Sequence, residues 1–209
     1  MSAFLPLFPL NLVVFPGEKL NLHIFEDRYR QLISECLETG KSFGIPIYLD
    51  NKLTELGTEV KVVALHKRYD DGRMDISSQG IRVFKIDSFV NPVSDKLYAG
   101  GEVSFLTEDT DVQLPSPRLL ELLQTLHTLL DTPVEYDKTK APFSFQVAHK
   151  VGLSLSDEYR LLALPKESLR QMYLVEHLQK IIPVVSEVER TKARIRMNGH
   201  FKNLDPLDF

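Results

Sequence analysis

The chain of 209 residues has a single cysteine, Cys36, so an internal disulfide is excluded and the thiol reads as a small buried hydrophobe in a reducing compartment. No hydrophobic run is long enough to span a membrane. The N-terminus also lacks the basic segment and continuous apolar stretch of a secretory leader, so a cytoplasmic location is expected. None of the six histidines, His23, His66, His127, His149, His177 and His200, has another at metal-ligand spacing or a cysteine neighbour. His127, His149 and His177 are expected as solvated or locally hydrogen-bonded side chains. There is no Gly-x-Ser-x-Gly elbow, and the adjacent Asp70 and Asp71 suit a turn better than an acid and base pair. Gly40-Lys41-Ser42 looks like the end of a phosphate-binding loop. However, Glu35 stands where that motif needs its first glycine, and a helix precedes the sequence where a strand should. No catalytic residue, cofactor or metal is expected.

What is present is ordinary globular composition, 43% hydrophobic and 26% charged, with a net charge of -4. The charge is uneven: residues 190–209 carry a local +3 and the remainder -7. Arg190, Lys192, Arg194 and Arg196 fit a solvated helix end whose cations complement the helix dipole. A nucleic-acid site is the alternative, but no aromatics interleave with the basic residues to stack bases.

The opening segment is the most specific. Pro6, Pro9 and Pro16 each fix φ and remove a donor, so the apolar residues around them form short strand pieces and a packed connection. Pro16-Gly17 marks a tight turn. Leu20, Leu22 and Ile24 then alternate with polar residues as in a half-buried strand, and Phe25, Tyr29, Leu32, Ile33, Cys36 and Leu37 fall at helical spacing up to Gly40. Phe43 to Leu49, interrupted by Pro46, suggests a strand near a sheet edge. Glu59 to Tyr69 and Arg73 to Ile86 form a hairpin about Asp70-Asp71-Gly72, with bulges near Val62 and Val63 and at Gly80. A last strand covers about Leu97 to Leu106.

After Pro115 the pattern becomes helical. Ser116 and Pro117 read as N-cap and first helical residue, with Leu119, Leu122, Leu123, Leu126, Leu129 and Leu130 in one stripe. Phe143 to Val151, Asp157 to Leu164 and Lys166 onward give further helices, and Pro183 should kink the last of these or lie in its first turn. Strands followed by helices indicate an α+β chain, with a bulged-barrel subdomain over 1–110, a helical subdomain over 116–197 and a tail over 198–209 expected to be mobile.

The Leu5-Pro-Leu-Phe-Pro-Leu-Asn-Leu-Val-Val-Phe-Pro-Gly17 segment, followed by Leu20 to Arg30, resembles the opening of the Lon protease N-terminal domain family. Phe43-Gly44, Asp71-Gly72-Arg73, Gly80-Ile-Arg-Val-Phe84 and the run from Leu164-Pro165 to Glu176 extend the likeness from about residue 4 to about 188. The resemblance implies a PUA-like barrel with one helix followed by a helical bundle. It also implies a non-catalytic, ATP-independent module that binds unfolded or peptide segments of proteins, with a separate protease as a further candidate partner. The ligand would use apolar surface between the subdomains and exposed strand edges. Candidate contacts are Phe15, Pro16, Phe25, Arg28 and Tyr29, although the spacing of Phe25 and Tyr29 also assigns both to packing of the helix on the barrel. RNA binding through the PUA-like fold and the basic stretch is the alternative function.

Overall fold

The structure, a computed structural model, describes residues 2–107, 111, 114–132, 135–137, 139 and 142–200, with side chains through 196. Its strands are β1 (Ser2–Leu7), β2 (Lys19–Ile24), β3 (Phe43–Leu49), β4 (Lys52–Arg68), β5 (Met74–Ile86) and β6 (Ala99–Phe105). Helix α1 (Asp27–Thr39) lies between β2 and β3. After β6 come α2 (Pro117–Leu130), α3 (Phe143–Val147) continued by a tighter turn at Ala148–Lys150, α4 (Leu155–Ala163) and α5 (Glu167–His200). This is the α+β order expected, strands first and helices after. No helix among the described residues is long and apolar enough to cross a membrane.

The sheet order is β2-β5-β4-β3-β1-β6, and β6 returns to pair with β5, which closes the strands into a barrel. β5 makes this possible by dividing one edge between two partners: Met74 to Gln79 pair with β2, and Phe84 to Ile86 pair with β6. Between them Ile81 is an extra residue opposite β4, and Val63 and His66 are extra residues on β4 itself. Such bulges bend and twist a strand, which a small barrel requires.

The pairing of β3 with β1 corrects the expectation for Pro46. β3 is not near an edge; it lies between β4 and β1, and Pro46 falls where its register against β4 slips between Pro46 and Tyr48. A proline without an N–H is accommodated at an irregular position as readily as at an edge. β4 also begins earlier than its apolar pattern indicates, at Lys52, because Leu53 and Lys52 pair with Tyr48 and Leu49.

α1 packs against the barrel strands. Tyr29, Leu32, Ile33 and Cys36 point into a core with Phe8, Val14, Ile24, Phe43, Ile45, Val60, Met74 and Ile76. Burial pushes the Cys36 thiol up to about 11, in keeping with an inert side chain. Gly40 ends the helix with φ +68, and its N–H donates to the Cys36 carbonyl at 2.9 Å.

The helices pack in a second cluster, which also takes in Val13, Phe15, Ile47 and Val83. Ser116 caps α2 by accepting from the Leu119 N–H at 3.2 Å, and Leu119, Leu122, Leu123 and Leu126 pack against Phe143, Val147, Leu161, Leu162, Leu174 and Leu178. The stripe then departs from expectation: Leu130 is exposed and His127 is buried in its place. The His127 ring meets the Tyr136 hydroxyl, and burial lowers the His127 pKa. Pro183 lies inside α5, well beyond its first turn, and α5 continues through His200. Residues 201–209 of the expected tail lie outside the described residues.

Candidate functional site

The Pro16-Gly17 turn forms as its sequence dictates. The Glu18 N–H donates to the Phe15 carbonyl at 3.0 Å across Pro16 and a Gly17 with φ +82. Two further main-chain bonds of 2.9 Å, from Gly17 N–H to Gly80 O and from Gly80 N–H to Glu18 O, fasten the turn to β5. The Glu18 carboxylate accepts from the Phe15 N–H at 2.8 Å and lies 3.2 Å from His149 Nε2, while His149 Nδ1 lies 2.7 Å from Glu158. The hydrogen bond to Glu18, reinforced by Glu158, raises the His149 pKa to about 9 against the opposing effect of burial.

His149, exposed at one side, thus bridges the Pro16-Gly17 turn to α4 and is not only locally bonded. Phe15 is fully buried and stacks on Phe145 at 5.1 Å, and the Arg170 guanidinium lies 4.4 Å from the centre of the Phe145 ring. Phe15 and Pro16 therefore fill the seam between the two halves. The apolar surface expected there is occupied by the protein's own side chains.

At the start of α1 the arrangement is different. The helix begins at Asp27, so Phe25 remains in the extended chain after β2, on the outward phase shared by Asn21 and His23, and is 61% exposed. The expectation that Phe25 lies on the buried stripe is corrected accordingly. Its ring stacks against His23 at 6.2 Å, and His23 meets Tyr69 edge-on at 6.0 Å. Lys67 and Arg73 lie 4.3 and 5.0 Å from the Tyr69 ring centre. Arg28 donates to Glu26 at 2.9 Å and lies over the buried Tyr29, which stacks on Phe8 at 3.7 Å.

The five residues singled out in sequence are thus separated. Phe15 belongs to the helical cluster, with the buried Pro16 beside it, and Tyr29 belongs to the barrel core. Phe25 and Arg28 are on the surface. Beside Phe25 the structure adds His23, Lys67, Tyr69 and Arg73, which the sequence reading missed. The signal for His23 was the outward phase of β2; the signal for Tyr69 was its place at the hairpin end. Asp75 organises the strip, lying 2.6 Å from His23 Nδ1 and accepting from the Tyr69 hydroxyl at 2.8 Å, and these bonds hold its carboxyl below the usual range.

Two grooves are also present. One, of about 440 Å³, lies between the starts of α2 and α5 and is lined by Ser116, Arg118, Ser168, Gln171, Met172, Val175 and Glu176. The other, of about 480 Å³, lies between β1 and the residues leading into β3, lined by Ala3 to Pro6, Gly40 to Ser42, Glu59, Lys61, Ile81, Arg82 and Phe105. Among the described residues no group of three or more His, Cys, Asp or Glu is placed to hold a metal. The buried Ser144 hydroxyl donates to Glu167 at 2.6 Å, and Arg170 Nε lies 3.1 Å from the same carboxylate, but the buried Arg170 Nη2 has no hydrogen-bond partner among the described residues.

Comparison with known proteins agrees with this architecture. The model of the ATP-dependent protease La (LON) substrate-binding domain matches residues 4–190. A Lon N-terminal domain protein from Xanthomonas campestris superposes with a TM-score of 0.67 at 29% identity, covering 83% of this chain and 98% of the other. The N-terminal domain of Mycobacterium avium complex Lon protease superposes with a TM-score of 0.64 at 16% identity, covering 85% and 98%, a likeness of fold.

Proposed function

This chain belongs to the family of ATP-dependent protease La (LON) substrate-binding domains, and from that membership we propose that it captures unfolded or peptide segments of other proteins in the cytoplasm without ATP and without cleaving them. The observation that carries this reading on the chain itself is the exposed strip at the start of α1. Phe25, His23 and Tyr69 present ring surface, and Arg28, Lys67 and Arg73 present cations beside it. Exposed aromatic and Arg side chains are the types that anchor protein interfaces, because they bury large area and donate hydrogen bonds at little conformational cost. Phe25 and Arg28 are the proposed direct contacts. Tyr29 supports Arg28 from below, and the Phe15-Pro16 turn fixes the two halves. A separate protease would act on what is captured.

The test is fluorescence anisotropy with a labelled, reduced and alkylated unfolded protein. Phe25→Ala and Arg28→Ala should each weaken binding about tenfold, the effect of losing one anchor, with melting unchanged. ATP should neither be hydrolysed nor alter the affinity. Absence of protein binding, together with salt-sensitive RNA binding that disappears on neutralising Arg190, Lys192, Arg194 and Arg196, would overturn this in favour of the RNA alternative.

A further inference from the structure

We propose that the 480 Å³ groove beside β1 is a docking site for an extended, acidic polypeptide segment, which adds as a short strand to the free edge of β1. The proposal rests on the reading of this chain as a polypeptide-binding module and names the class of segment and the place.

The edge is open for a reason that can be traced in the chain. β1 pairs with β6 along its whole length, from Ser2 opposite Ser104 to Leu7 opposite Ala99. On its other side it meets β3 at Leu7 and Gly44 alone, where the Phe8 N–H donates to the Gly44 carbonyl at 2.8 Å. The two-residue period of a strand places the main-chain N–H and C=O of Phe4 on that same edge. Pro6, between Phe4 and Phe8, has no donor, and its carbonyl faces the Gly44 N–H in the Leu7–Gly44 bridge, so the open part of the edge is at Phe4. The residues that would continue β3 alongside Phe4 lie outside it, since β3 begins at Phe43, and the Ser42 hydroxyl donates to Glu59 on β4. Lys41 and Ser42 become the opposite wall of the groove, and the edge has no strand beside it.

The chemistry of the walls selects the occupant. Glu59 is almost wholly buried and accepts from Arg82 at 2.6 Å as well as from Ser42, and Arg82 is fixed 3.4 Å from the centre of the Phe105 ring. That carboxylate and that guanidinium therefore cancel. Lys41 and Lys61 are exposed and form no ion pair among the described residues, so the groove carries an uncompensated positive charge. Phe4 and Ile81, each nearly half exposed, supply apolar platforms. A strand alternating apolar and acidic residues places its main chain on the β1 edge, its apolar side chains on Phe4 and Ile81, and its carboxylates toward the lysines. A helical segment cannot pair with the edge, and a basic one meets like charge.

The test uses labelled peptides of about seven residues, a typical strand length: one alternating Val with Glu, its counterpart with Lys for Glu, and the acidic peptide N-methylated at alternate residues. Each is titrated against the full chain, against Lys41→Glu/Lys61→Glu and against Phe25→Ala. The acidic peptide should bind about tenfold more tightly than the lysine peptide at low salt, and the double variant should invert this preference while melting as the parent does. N-methylation on the pairing edge should abolish binding. Acidic-peptide binding unchanged in the double variant, or undiminished by N-methylation in either phase, would overturn the proposal. Unfolded-protein binding that is lost in Phe25→Ala, with no preference for the acidic peptide, would overturn the groove and leave the proposed function standing. Absence of binding by any peptide or unfolded protein would overturn both.

Discussion

His149 is the side chain through which pH acts on this fold. Its pKa in the folded chain is about 9, above the ordinary 6.5, because Glu18 and Glu158 favour its protonated form. A raised value means that the proton favours folding. The contribution is complete below about 6.5, where the unfolded chain also holds the proton, and is lost as pH rises through about 9. Melting temperature should therefore fall between these values, and His149→Gln should flatten that part of the profile; an unchanged profile in the variant would show that the bridge contributes nothing. Nothing in the sequence around His149 indicated this role, because one partner, Glu18, is 131 residues away. Phe25 was misread for a local reason: its spacing to Tyr29 is helical, but the strand phase of Asn21 and His23 extends through it. Cys36 was legible because its neighbours on the helical stripe are apolar.

Among the elements, the junction of the Pro16-Gly17 turn with β5 leaves little room for change. A Cβ on Gly80 would lie 2.3 Å from the Phe15 carbonyl oxygen, a main-chain atom that cannot move without breaking the turn. Gly80→Ala should cost about 3 kcal/mol, in the range of overpacked and strained sites, and more than Gly17→Ala, where nothing lies near the new methyl and the cost is φ alone. Denaturant unfolding of the two variants would check the order; the reverse order would mean that the turn is held elsewhere. The sequence marked Gly80 as a bulge, and the register does slip there, but the glycine is required by the approach of a segment distant in the chain. Hairpins and caps were legible because their determinants are adjacent, as in Asp71-Gly72 and Ser116-Pro117. The interior place of β3 was not, since it depends on pairing with β1, a strand at the far end of the preceding chain.

At the scale of the whole molecule, the barrel and the helices share more than a linker. Val13, Phe15, Ile47 and Val83 of the first half are buried in the same cluster as the α2 and α5 leucines. Phe15→Ala should cost about 3–5 kcal/mol and lower the unfolding midpoint of both halves together, followed by near-UV and far-UV circular dichroism. Separate transitions would make the two halves independent units. The strands-then-helices order was readable from the change of period after Pro115, whereas the seam was not, because its residues are scattered over the chain. The same scattering bears on how fast the molecule reaches its native state. The tethers of the turn run to Gly80 and His149, contacts of long sequence separation whose loops are costly to close, so docking of the turn belongs to the late stage of folding. Substitutions at Phe15 and His149 should then accelerate unfolding and leave the refolding rate nearly unchanged, which places the kinetic lifetime of the native chain, more than its speed of formation, under the control of one proline-glycine turn.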